Sequence, residues 1–158
     1  VKDYVDQIIT VSEEEIANAI LTLLENEKLV VEGAGAASVA AVVSGRIDET
    51  NKKIVTVISG GNIDMNMVIS IIDSCLLKSG RKTEIKVTIP DKPGNLQVLL
   101  ELIAKTKANI SSIFQTRMKA YVNIGCQEVA MVLDTKNHEH IQEIHEVLKK
   151  HGYDIIED

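Results

Sequence analysis

Ser59-Gly60-Gly61-Asn62 follows directly on the run Lys53-Ile54-Val55-Thr56-Val57-Ile58, which is β-branched and almost continuously apolar. In open α/β sheets a ligand sits at the carboxyl end of a strand, where this tetrapeptide falls. Adjacent glycines let a backbone approach a planar or anionic group closely, and Ser59 offers a neutral hydroxyl at the lip. The same residues would also serve a tight turn into a helix with no ligand. Glu32 follows a second short apolar run, Leu29-Val30-Val31, and opens Gly33-Ala34-Gly35-Ala36-Ala37. It is either an acid favoured by the positive end of a helix dipole or a carboxylate converging with Ser59 at one sheet edge.

The elements that must hold these groups are legible in the pattern. Ser12 and Glu15 form a capping box that starts a helix running to about Asn26, with Ile16, Ile20, Leu23 and Leu24 as its buried stripe. Gly33 to about Gly45 is a small-residue helix, which allows close approach to a neighbour. Lys53–Ile58 reads as a strand covered on both faces. Asn66 to about Leu77 is a helix with Met67, Ile71 and Cys75 on one side; Met65 and Met67 fill apolar gaps. From Thr83 the elements shorten: a strand to Ile89, the turn Asp91-Lys92-Pro93-Gly94, a helix from Asn95 to about Lys107, and a strand from Ile110 to Met118. A strand over Gln127–Leu133, a helix over His138–His151 and a strand over Tyr153–Ile156 complete the order βαββαβ, that of an α+β ferredoxin-like sandwich.

That second block closes on itself, and the first does not. One apolar strand of parallel-sheet character needs neighbours on both edges, and the preceding residues supply only Leu29–Val31. We therefore expect residues 1–80 to be an α/β fragment of a larger domain and residues 81–158 a separate domain.

Composition excludes several classes. The 158 residues carry 17 Lys plus Arg against 23 Asp plus Glu, a formal charge of −6 that repels phosphate backbones and argues against nucleic acid. With 45% hydrophobic and 25% charged residues the chain is neither disordered nor collagen-like, and with 3% aromatic residues its core rests on Ile, Val, Leu and Ala. Early acids, no leader-like run and no stretch near the ~20 apolar residues of a membrane span lead us to expect a cytoplasmic protein. Cys75 and Cys126 stand alone and read as reduced, inert thiols. His138, His140, His145 and His151 lack the i, i+4 spacing of a metal pair, so they read as solvated helix histidines and no metal is expected.

Val11-Ser12-Glu13-Glu14-Glu15-Ile16, Val31-Glu32-Gly33-Ala34-Gly35-Ala36-Ala37 and Ile58-Ser59-Gly60-Gly61-Asn62-Ile63-Asp64, in this order, resemble the end of the catalytic domain of threonine dehydratases. These are pyridoxal-phosphate enzymes of the tryptophan-synthase β type. The resemblance covers residues 1 to about 78. It implies that Ser59, Gly60, Gly61, Asn62 and Glu32 bind the cofactor, the Ser59 hydroxyl hydrogen-bonding its pyridine nitrogen and Glu32 lying near its ring. A hydroxyl there leaves the nitrogen largely neutral, whereas a carboxylate would keep it protonated and make a deeper electron sink. The implied reaction is L-threonine to 2-oxobutanoate and ammonia, with serine a secondary substrate. No lysine here matches the family's cofactor lysine, and its glycine-rich phosphate cup is missing. This portion alone is therefore expected to be inactive, with no pyridoxal phosphate bound.

The second block resembles an ACT domain, an amino-acid-sensing module. Ile89-Pro90-Asp91-Lys92-Pro93-Gly94-Asn95-Leu96 matches its strand–loop–helix segment, and Lys107-Ala108-Asn109-Ile110 the entry to its second strand. The resemblance implies an effector amino acid, isoleucine or valine by pathway logic, between paired domains of a homodimer or homotetramer. It would be held by Asp91, Lys92, Pro93, Gly94, Asn95 and Leu96, with the amide of Asn109. The loop's chemistry is consistent with this. Pro93 pre-sets φ, Gly94 permits close approach, the first N–H groups of the helix can receive an α-carboxylate, and Asp91 is available for the ammonium. A plain turn feeding a helix needs no ligand. A non-enzymatic module that only pairs or regulates is the competing class. Serine racemases and serine dehydratases share the first block's style but usually lack the second.

Overall fold

The computed structural model describes residues 4–47 and 51–156. Val1, Lys2 and Asp3, which enter the expectation drawn from the first residues, lie outside them. The chain divides after Cys75 into two compact units.

In the first unit, α1 (Glu13–Thr22) begins at the expected capping box: Ser12 accepts from the Glu15 N–H and the Glu15 carboxylate accepts from the Ser12 N–H at 2.7 Å. The helix widens into one π-helical turn, Leu23–Glu27, and ends at Lys28 in the left-handed region. α2 (Gly33–Val43) packs its small face, with Ala36 and Ala40 buried, against Ala19, Ile20 and Leu23 of the first helix and Val31. Alanine at those positions sets the close approach of the two helices. α3 (Met65–Lys78) follows, with the Asp64 carboxylate accepting from the Asn66 N–H at 2.7 Å. Its buried residues are Val68 and Cys75. Met65 and Met67 are more than half exposed and fill no gap, contrary to the sequence reading.

Arg46 donates to Glu15 at 2.8 Å, which with the Ser12 N–H lowers the Glu15 carboxyl to about 2 from an ordinary 4.5. A carboxyl depressed by folding stabilises the fold above its unfolded value, and this contribution is lost as pH falls through the folded one. Urea unfolding followed by residue-resolved signals from α1 and α2, for the chain and for Glu15→Gln, is expected to show a difference in stability that shrinks between pH 4.5 and pH 2.

The strand expected over Lys53–Ile58 does not form as a ladder. The segment has no regular structure and pairs with no other strand among the described residues, and Val55 and Val57 are 90% and 75% exposed. Leu29–Val31 forms no strand either. An apolar β-branched run prefers a pleated surface only where a neighbouring strand supplies partners for its N–H and C=O groups. What holds the segment is α2, whose Ser38 hydroxyl donates to the Val57 carbonyl at 2.8 Å.

The second unit runs β1 (Lys82–Pro90), α4 (Asn95–Thr106), β2 (Asn109–Thr116), β3 (Cys126–Asp134), α5 (His138–Lys150) and β4 (Ile155–Ile156). The strands form one antiparallel sheet in the order β2-β3-β1-β4, with a bulge between Ile110 and Ser112. Alternation in β1 and β3 puts Ile85, Val87 and Ile89 beside Val129, Met131 and Leu133 on one face. Leu99 and Ile103 of α4 and Ile144 and Leu148 of α5 close that face. Each such side chain contributes roughly 1.5–3 kcal/mol by burial.

One histidine departs from the sequence reading. His140 is buried, its Nε2–H donating to the Thr106 carbonyl at 2.8 Å and its Nδ1 accepting from the Lys136 N–H at 3.2 Å. The amide can only donate, which fixes the tautomer. It looks solvated in sequence because Glu139, Gln142 and Glu143 surround it. His140→Ala would strand a carbonyl and an amide, and hydrogen exchange in α4 and α5 is expected to show a loss of about 2–4 kcal/mol.

Candidate functional site

Glu32 and the Ser59–Asn62 loop meet in the first unit. Glu32 occupies the N-cap position of α2 in an extended conformation, but its side chain makes no capping bond to that helix. The carboxylate instead accepts from the Asn62 N–H at 3.2 Å, and the Glu32 N–H donates to the Gly60 carbonyl at 3.4 Å. Gly60 has φ +74, and a Cβ there would lie 2.4 Å from Glu32 Oε1. A Cβ on Gly35 would lie 1.6 Å from the Ser59 carbonyl oxygen. The first turn of α2 and the loop are thus fitted backbone to backbone, and only glycine permits the fit. Gly61 packs against the Val30 carbonyl, 3.2 Å from where its Cβ would be.

Beside this junction lies an open cavity of about 600 Å³. Ile16, Ile63 and Ile71 give it apolar walls, and Glu32, Asn62 and Asp64 bring polar groups to its margin. Ser59 is exposed at the end of the Lys53–Ile58 segment.

In the second unit the residues singled out in sequence separate into two places. Asp91, Lys92, Pro93, Gly94, Asn95 and Leu96 join β1 to α4. The Asn95 amide donates to the Pro90 carbonyl at 3.1 Å, and no side chain caps α4. Asn109 opens β2 beside Asp134, to which its amide donates at 3.0 Å. Asp134 pairs in register with Lys82, the first residue of β1. Asn109 and the loop are therefore at opposite ends of the sheet, roughly 25 Å apart along a nine-residue strand. Hydrogen bonds from Ser111 and Asn109, with the charge of Lys82, hold the Asp134 carboxyl below its usual range.

Asp91 is not available as the sequence suggested. Arg117, just past β2, donates to it through Nε at 2.5 Å and Nη2 at 2.7 Å. The guanidinium hydrogen bond holds the Asp91 carboxyl below its ordinary range. Arg117 was not singled out in sequence, although a signal exists. In the order β2-β3-β1, β2 and β1 run the same way, so residues leaving them emerge at one end of the sheet. Among the described residues no group of three or more His, Cys, Asp or Glu could hold a metal ion, and no helix is long and apolar enough to cross a membrane.

Residues 1–60 match the family of pyridoxal-phosphate dependent enzymes. Over 98% of its length the chain is 48% identical to L-threonine ammonia-lyase of Thermotoga maritima, and over 97% it is 44% identical to that of Geobacter sulfurreducens. A 70-residue stretch, 43% of the chain and 21% of the relative, is 49% identical to the catabolic L-threonine dehydratase of Escherichia coli. Nearly the whole chain is thus similar to a C-terminal part of these threonine ammonia-lyases. It spans 38% of the length of the Thermotoga and Geobacter enzymes.

Proposed function

We propose that this chain is the C-terminal portion of a cytoplasmic enzyme that deaminates L-threonine to 2-oxobutanoate and ammonia with pyridoxal phosphate. The observation that carries the reading is the junction of Glu32 with the Ser59–Asn62 loop inside a segment similar to that enzyme family. The donor set fits one edge of the cofactor. An exposed hydroxyl, Ser59, can hydrogen-bond a ring nitrogen without fixing a proton on it, and the glycine loop behind is held in shape by Glu32. Pyridoxal phosphate, when bound, supplies the electron-withdrawing ring that loosens the bonds at the substrate's α-carbon. Glu32 acts as a positioning residue, because its carboxylate is engaged with the Asn62 N–H. The lysine and phosphate cup of the family have no counterpart in this sequence, so the 158-residue chain alone is inactive. Assay of the purified chain with L-threonine and pyridoxal phosphate tests this. 2-Oxobutanoate formation, or a borohydride-stable cofactor adduct on any of its lysines, would overturn it.

Residues 81–158 we read as a ferredoxin-like ACT domain that pairs subunits and senses an amino acid such as isoleucine or valine. The βαββαβ order and the sheet order β2-β3-β1-β4 support this. So does the placement of Asn109. A two-fold pairing of β2 with the β2 of a second copy, antiparallel, would carry one copy's Asn109 to the other's Asp91–Leu96 loop, completing a site that one chain holds in halves. Calorimetric titration with isoleucine, valine, threonine and serine tests the sensing. Saturable heat with one of them is expected. Silence with all four would leave pairing alone, which sedimentation measures.

A further inference from the structure

We propose that Arg117 and Asp91 together receive the zwitterionic end of a free α-amino acid, and that their mutual ion pair occupies this receptor when no amino acid is present. The proposal rests on reading the Asp91–Leu96 loop as the amino-acid site and adds to it a residue from another element.

The contact has the form of a ligand contact. Arg117 offers Nε and Nη2 as a fork, and the two Asp91 oxygens take one donor each, at 2.5 and 2.7 Å. This is the two-point geometry in which a guanidinium recognises any carboxylate. Asp91 is in effect a tethered carboxylate seated where a free one would sit.

The pair is also easy to open. The Arg117 and Asp91 side chains are 62% and 32% exposed, and an ion pair in water contributes only ~0–1 kcal/mol. The loop that carries Asp91 is open at Gly94, where a Cβ would meet nothing within 4 Å. The neighbouring start of α4 carries no side-chain cap.

Charge balance then selects the ligand. An α-amino acid entering between the two residues gives its carboxylate to Arg117 and its ammonium to Asp91. One ion pair becomes two, and neither protein charge is left alone. A 2-oxo acid has the carboxylate but no ammonium, so it would have to expel Asp91 and leave that carboxylate unpaired. An amino-acid ester has the ammonium but leaves Arg117 unpaired. The receptor therefore distinguishes an amino acid from its deaminated product, the two sides of the reaction proposed for the whole enzyme.

Calorimetry on the 158-residue chain and on Arg117→Ala, Arg117→Lys and Asp91→Ala tests the proposal, with circular dichroism confirming that each variant is folded. Probes are L-isoleucine, L-valine, L-threonine, L-serine, 2-oxobutanoate and isoleucine methyl ester. The unaltered chain is expected to bind at least one amino acid and neither the 2-oxo acid nor the ester. Arg117→Ala is expected to weaken amino-acid binding roughly tenfold to a hundredfold, the loss of a charge-assisted contact, and Arg117→Lys to recover part of it. Asp91→Ala is expected to weaken amino-acid binding and to gain measurable affinity for 2-oxobutanoate, because the guanidinium is freed. A damaged fold would not produce that gain. Amino-acid affinity unchanged within about twofold in both alanine variants would overturn the role of Arg117 while leaving the loop as the site. No binding of any amino acid to the unaltered chain would overturn the loop reading itself, and this proposal with it.

Discussion

Gly35→Ala is expected to loosen the first unit by about 2–4 kcal/mol. Alanine inside a helix ordinarily gains about 1 kcal/mol over glycine. Here the added methyl would sit 1.6 Å from the Ser59 carbonyl oxygen and 2.8 Å from the Ser59 carbonyl carbon. Both are backbone atoms, which no rotamer change can withdraw. α2 must therefore part from the Ser59–Asn62 loop, and a forced separation in a well-packed contact costs more than the helix gains. Because the chain has two units, a single unfolding free energy would mix them. Hydrogen exchange read residue by residue separates them: protection is expected to fall in α1 and α2 and to stay unchanged in β1 and β3.

Gly80→Ala is the matching experiment in the second unit. Gly80 has φ +68, a left-handed conformation that costs a residue with a Cβ roughly 1–2 kcal/mol. The Cβ would also lie 2.6 Å from the His138 backbone nitrogen and 2.9 Å from the Asn137 carbonyl carbon. This is the point where Asn137 accepts from the His140 N–H to start α5 and where Thr135 donates to the Gly80 carbonyl. Strain and collision add to about 3 kcal/mol or more, with exchange protection lost in α5 and β1. Gly152, with φ +80 but nothing within 4 Å of its Cβ, is the control, expected to show the conformational cost alone when changed to alanine.

How much of this was legible differs between the two units, for a physical reason. In the second, every strand finds its partners inside the same stretch of chain. The alternation of Ile85, Val87 and Ile89 with polar neighbours therefore maps onto a real sheet face, and element boundaries differ from the expected ones by two residues or fewer at every end. In the first, the pattern at Lys53–Ile58 described a preference that pairing must complete, and among the described residues nothing pairs with it. Glu32 was expected to converge with Ser59 at a sheet edge; its carboxylate meets the Asn62 N–H instead, and no strand forms there among the described residues. That the carboxylate would serve the loop and not its own helix was not legible, because capping geometry depends on φ and ψ. The Asp91–Arg117 contact joins residues 26 apart in the chain, and only the order of the strands brings them together.

The bulge between Ile110 and Ser112 bears on which mates the outer edge of the sheet will accept. It breaks β2 into two stretches whose free amides and carbonyls fall out of step, and it turns Ser111 so that its hydroxyl reaches Asp134 at 2.6 Å. A stray strand from another molecule can zip along only one stretch before the repeat slips. Edge-to-edge growth by a foreign strand is thereby held to a short run of rungs.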